Sequence, residues 1–195
     1  MRDPRGLRTG THAWSRVVGA LTLALAPALT LGACGGGGPG DRREPTMGEA
    51  VAYDLMRAWE LADTATLVAL FRPDAVYDDF PDQTQYQGVE EIVGYLSQVH
   101  AWGVGVRVDV GNVRGSGDFA VAEWLVSAFQ DGPVSPRLDA DGGAEVLMNG
   151  VTVIELEGGR IVRAADYFDR TALYLQLGGR VEMPDGSIIE LGDVP

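Results

Sequence analysis

The sequence predicts an α+β domain in which helices come first and an antiparallel sheet follows. Three observations carry this. In three segments between residues 46 and 99, apolar side chains recur at helical spacing. After His100 they alternate, as on a half-buried strand. Gly158-Gly159 then joins two long apolar runs, as a hairpin turn would. There is no internal repeat, and the segment from 46 to 195 is one domain's worth of chain.

The elements follow in order. Thr46 with Glu49 three residues later forms a capping box, and Met47, Val51, Leu55, Ala58 and Ala62 continue at helical spacing beside Trp59. Asp63 caps a second short helix over 64–71, which Pro73 stops. Residues 74–82 read as a short strand entering a proline-bounded loop. A third helix after Gly88 buries Val89, Ile92, Val93, Leu96 and Val99. Strands are expected over 104–110, 119–130, 146–157 and 159–169, with a polar loop over 133–145. A short helix over 170–178 follows, capped by Asp169, and a last hairpin turns at Asp185-Gly186.

Charge divides the chain into two chemically different pieces. Residues 1–33 hold four arginines and one aspartate, net +3; residues 34–195 hold eleven arginines against 27 acids, net −16. All fifteen basic side chains are arginine, which excludes lysine Schiff-base chemistry and a GK[ST] phosphate loop. One cysteine excludes an internal disulfide and multi-cysteine metal sites. A body this acidic repels nucleic acid. No cofactor and no metal are expected.

Residues 1–33 read as an export signal: a basic end, then the apolar run 17–33. The junction LGAC at 31–34 resembles the bacterial lipobox, which implies that Cys34 becomes the first residue of the mature protein and carries acyl chains. The glycine-rich stretch GGGGPG (35–40) and the polar DRREP (41–45) suit a flexible tether over 34–45. The expected location is extracytoplasmic, anchored to the cell membrane through lipidated Cys34.

Three stretches of the body resemble one superfamily. Residues 74–96 (DAVYDDFPDQTQYQGVEEIVGYL) resemble the early strand, loop and helix of SnoaL-like proteins of the nuclear-transport-factor-2-like group. Residues 150–178 resemble their terminal hairpin, with the signature DYFD at 166–169 and a trailing helix. The helices around Trp59 and Phe71 suit the N-terminal pair. The resemblance implies a curved antiparallel sheet wrapped by helices into a cone with an internal pocket, and a convex face used for homodimers. Its members include cyclases, isomerases, hydrolases and non-catalytic binders, so fold alone leaves function open. The limonene-epoxide hydrolases use a Tyr-x-Asn-x-Pro segment, an Arg-x-Asp pair on a middle strand, and the first terminal aspartate. Here Tyr77, Asp79 and Pro81 match the first segment, with aspartate for asparagine, and Asp166 matches the last. On the middle strand, Trp124 and Val126 stand where arginine and aspartate are expected. That epoxide-opening mechanism is therefore not expected.

Asp166 is the first candidate for chemistry. Strand parity sets it with Val162, Ala164 and Phe168, where an apolar setting would raise its pKa toward neutral. The alternative is a structural carboxylate bonded to Arg163, Arg170 or a tyrosine. Tyr77 and Asp79 share a face and could join Asp166, or Asp78, Asp79 and Asp82 form a solvated acidic loop. Trp59, Phe71, Tyr86, Trp124 and Phe168 supply apolar pocket surface, with ordinary core as the other reading. His100 is either a pocket group or a helix C-terminal histidine favoured by the dipole. Two functions follow: non-catalytic capture of a hydrophobic small molecule or a partner at the cell surface, or a cofactor-independent lyase, isomerase or hydrolase using a pocket aspartate. Loss of the catalytic pair favours the first.

Overall fold

The computed structural model describes residues 43–134 and 143–190. The segment expected to be an export signal, Cys34, most of the expected tether and part of the 133–145 loop lie outside those residues. Among the described residues no helix is long and apolar enough to cross a membrane.

Helix α1 (Met47–Leu61) starts at the expected capping box: Thr46 accepts from the Glu49 amide, and the Glu49 carboxylate accepts from the Thr46 amide at 2.8 Å. Helix α2 (Thr64–Leu70) is capped by Asp63, whose carboxylate accepts from the Thr66 amide at 3.0 Å. Strands β1 (Phe71–Asp79) and β2 (Thr84–Gln87) form a hairpin before α3 (Val89–Trp102). Four strands then run β3 (Gly103–Gly115), β4 (Phe119–Gln130), β5 (Glu145–Glu157) and β6 (Arg160–Phe168). Helix α4 (Arg170–Gln176), capped by Asp169, and a small hairpin of β7 (Val181–Glu182) and β8 (Ile188–Ile189) complete the described chain.

Six strands form one sheet in the order β2-β1-β6-β5-β4-β3. The layout is the expected α+β cone, a curved and mainly antiparallel sheet with the N-terminal helices on it. Two details differ from expectation. β1 pairs with β6 in parallel, and β2 occupies residues expected to be loop. The register shifts in β3 and β6 are bulges, which bend strands and let a sheet curve. The α1 residues Val51, Ala52, Leu55 and Met56 and the α3 residues Ile92 and Leu96 pack on the inner face against Ala120, Ala122, Ile154 and Ala164. The small side chains on the strands let the helices approach closely. At the start of α1 the approach is closer still: a Cβ at Gly48 would stand 2.4 Å from the Phe119 carbonyl oxygen.

Candidate functional site

Core packing does not fill the inner face. A cavity of about 570 Å³ opens between the sheet, α1, α3 and α4. Aromatic and aliphatic side chains make most of its wall, including Trp59, Tyr86, Trp124, Val126, Met148 and Phe168. Its polar groups gather on the β1 and β6 side.

Register explains why. Asp79 lies opposite Asp166 across the parallel β1/β6 pair, and Asp166 lies opposite Thr152 across β5/β6. One row of the sheet therefore carries two carboxylates and a hydroxyl on its concave side. Tyr77, two residues before Asp79, shares that face and donates to Asp166 Oδ2 at 2.6 Å. Thr152 Oγ1 donates to Asp166 Oδ1 at 2.5 Å. Thr152 in turn accepts from Trp124 Nε1 at 2.8 Å. An indole N–H can only donate, so this bond fixes the direction of the chain: Trp124 to Thr152 to Asp166. The indole reaches Thr152 because Gly150, opposite it on β5, has no side chain; a Cβ there would stand 2.2 Å from the ring.

Asp166 is 8% exposed and Asp79 1%. Burial raises the Asp166 carboxyl from 3.8 to about 6, against the pull of the Thr152 and Tyr77 hydrogen bonds and with help from the Asp79 charge. Burial also raises Asp79, opposed by the hydrogen bond from the Tyr95 hydroxyl at 2.9 Å. Tyr77 and Tyr95 are pushed well above the ordinary phenol range, first by burial and then by the Asp166 charge. Both therefore remain protonated donors at neutral pH. Beside the carboxylates, Arg170 pairs with Asp82 and donates to the Tyr174 hydroxyl at 2.7 Å.

Of the residues singled out in the sequence, Asp166, Tyr77, Asp79, Trp59, Tyr86, Trp124 and Phe168 all line this cavity. Two do not. Phe71 is fully buried in the core, with its ring 6.1 Å from that of Tyr77. His100 turns away from the cavity, and its Nε2 donates to the Trp59 carbonyl at 2.7 Å. Val162 also departs from strand parity, because the β6 bulge puts Ile161 inward in its place. The acidic loop reading fails for Asp79, which is buried. Asp78 faces the other side and pairs with Arg163 at 2.7 Å.

Two working residues had not been singled out. Thr152 sits in an alternating run with Ile154 and Leu156, so a hydroxyl on the buried parity was the available signal. Tyr95 lies three residues after Ile92 on the buried side of α3. Among the described residues no group of three or more histidine, cysteine, aspartate or glutamate side chains is placed to hold a metal ion.

The arrangement is a largely aromatic and aliphatic cavity with one carboxyl raised to about 6 and oriented by two donors. It can hold an apolar molecule and exchange a proton with it at Asp166.

Comparison with solved structures finds the same fold. A provisionally assigned SnoaL-like polyketide cyclase from Shewanella putrefaciens is 19% identical with a TM-score of 0.61, over 69% of this chain and 98% of its own. The Streptomyces antibioticus protein IdmH, likewise provisionally assigned as a polyketide cyclase, is 20% identical with a TM-score of 0.56, over 66% and 96%. An epoxide hydrolase of the limonene-epoxide-hydrolase-like type from Mycobacterium tuberculosis is 21% identical with a TM-score of 0.53, over 67% and 89%. At these identities the likeness concerns the fold alone. Among curated protein sequences none matches. The family profile of the SnoaL-like domain matches residues 52–164, and the chain belongs to that family.

Proposed function

We propose that the cavity is the active site of a cofactor-independent lyase, isomerase or hydrolase in which Asp166 exchanges a proton with an apolar substrate. The observation that carries this reading is the Asp166 carboxyl itself: buried, open to the cavity, and titrating at about 6. A general acid or base works best with a pKa near the operating pH. Ionised Asp166 accepts from Tyr77 and Thr152 and can take a proton from an activated C–H or a water. Tyr77 and Thr152 occupy one lone pair on each carboxylate oxygen, so Asp166 can take the proton on a free one with both hydrogen bonds kept.

The test is solvent exchange. A panel of enolisable apolar ketones is incubated with the full chain in D2O and followed by proton NMR. Loss of the α-proton signals is expected with the wild-type protein, slowed by about 100-fold or more in Asp166→Asn. Exchange that is equally fast in the variant would overturn the assignment.

A second reading is favoured by the middle strand, where Trp124 and Val126 replace the arginine and aspartate of epoxide-opening relatives. In that reading the cavity captures a hydrophobic small molecule without converting it. For either reading we place the domain outside the cytoplasmic membrane, held by acyl chains on Cys34. The support is the LGAC junction and the glycine-rich stretch after it.

A further inference from the structure

Four carboxylates are buried in the described structure: Glu49, Asp78, Asp79 and Asp166. The two that face away from the cavity have arginine partners. Arg43 contacts Glu49 at 2.5 Å, and Arg163 contacts Asp78 at 2.7 Å. The two that face the cavity form no ion pair among the described residues, and of the two only Asp79 feels an arginine charge, that of Arg170 at a distance. Their hydrogen bonds come from Tyr77, Thr152, Tyr95 and the Asp82 amide, all neutral donors. No lysine exists in the chain, and the guanidinium of Arg170, at the cavity wall, forms its ion pair with Asp82. Buried charges are ordinarily paired, and a pair of like charges side by side is the costliest case. Among the described residues no cation acts on Asp166, and the one that acts on Asp79, Arg170, is shared with Asp82; the space beside the two carboxylates is hollow.

The walls around it are aromatic. The Tyr86 and Tyr95 rings stack with centroids 4.4 Å apart, and Trp59 meets Tyr95 edge-on at 5.2 Å. Trp59 lines the cavity while its N–H is buried, so it offers the cavity ring surface rather than a donor. Tyr77 and Tyr95 donate their hydroxyls to the carboxylates, which leaves their rings electron-rich. Aromatic faces beside carboxylates are the setting in which ammonium groups bind.

We propose that the cavity takes an organic cation, a protonated amine or quaternary ammonium group on an apolar body, with the positive charge between Asp79 and Asp166. This rests on the same cavity as the proton-transfer reading and names its substrate class. A positive charge near the reacting carbon would also acidify its C–H, which suits Asp166 as base. Binding and protonation compete for the same carboxylates. The ionisable groups facing them are Tyr77 and Asp82 from β1 and the turn after it, Tyr86 from β2, Tyr95 from α3 and Arg170 from α4. The tyrosines stay neutral and Arg170 stays charged through the range in which Asp166 titrates.

An isosteric pair tests this on the full chain by titration calorimetry: choline and 3,3-dimethylbutan-1-ol, which differ by nitrogen for carbon and by one charge. At pH 7.5 the cation should bind about tenfold tighter or more. Its affinity should fall by up to about tenfold per pH unit below the Asp166 midpoint, with proton release visible as a buffer-dependent heat. In Asp79→Asn/Asp166→Asn, whose fold is checked by circular dichroism, the preference should vanish. Equal binding of the two wild-type ligands, preference for the alcohol, or no binding of either at millimolar concentration would each overturn the inference. The outcomes separate from those of the exchange assay. Exchange on neutral ketones without cation preference removes this inference and leaves the catalytic reading. Cation binding without proton exchange on any substrate does the reverse.

Discussion

Asp166 carries a stability cost that can be measured apart from any activity. Its folded carboxyl titrates at about 6 against 3.8 for the free group. Between those values the folded state holds the proton more tightly than the unfolded chain does. Protonation therefore favours folding, and the ionised form costs about 3 kcal/mol at neutral pH. This contribution improves as pH falls through about 6. Glu49 works in the other direction: Arg43 and the Thr46 amide hold its carboxyl down from 4.5 to about 2, so its contribution is present above 4.5 and lost as pH falls toward 2. The two windows overlap between 3.8 and 4.5, so the summed contribution of these two groups is greatest there. Asp166→Asn removes the cost, with the amide oxygen accepting from Thr152 and the amide nitrogen donating to Tyr77. Urea denaturation at pH 7.5 should show the variant more stable by about 2 kcal/mol, with the gap closing by about pH 4. A variant less stable at both pH values would mean that the carboxylate is structural.

At the scale of elements, the site depends on rows that cross the sheet. One row places Asp79, Asp166, Thr152 and Ala122 side by side, and the next places Phe168, Gly150 and Trp124. Within a strand these positions were legible. Alternation put Tyr77 with Asp79, Asp166 with Phe168, and Trp124 with Val126 on the faces they occupy. Alternation failed at Val162, where a bulge inserts an extra residue and resets parity. The partners across strands could not be read at all, because the parallel β1/β6 pairing joins residues 87 positions apart in the chain. Gly150 shows how much rests on such a row. Gly150→Ala drives a methyl into the indole, so Trp124 must leave Thr152 and release its hydroxyl. A loss of about 1–3 kcal/mol in stability is expected, as for other overpacked sites, with a change in tryptophan fluorescence. Asn149→Ala, next along β5 and exposed on the other face, should change stability by no more than about 0.5 kcal/mol. Equal behaviour of the two variants would remove the indole from the site's architecture.

For the whole molecule, local signals were enough to predict the layers, since capping boxes, periodicity and glycine turns act within a few residues. They could not show the cavity, which exists because side chains from distant segments fail to fill a common space. The same distinction bears on where the protein works. The −16 of residues 34–195 opposes any anionic lipid surface, and the two arginines of the tether, Arg42 and Arg43, sit between Asp41 and Glu44. A polybasic patch thus gives no second membrane signal, and one acyl chain alone binds only reversibly. If the domain is held at a membrane, several chains on Cys34 have to do it. Expression of the full chain in a bacterial host with an alkyne-tagged palmitate should therefore label the wild-type protein, which should enter the detergent phase on Triton X-114 partitioning. Cys34→Ala should take no label and accumulate as a precursor larger by the mass of residues 1–33. Labelling that survives the substitution, or a wild-type protein that stays in the aqueous phase, would reassign the glycine-rich segment from a tether to a plain linker behind an ordinary export signal.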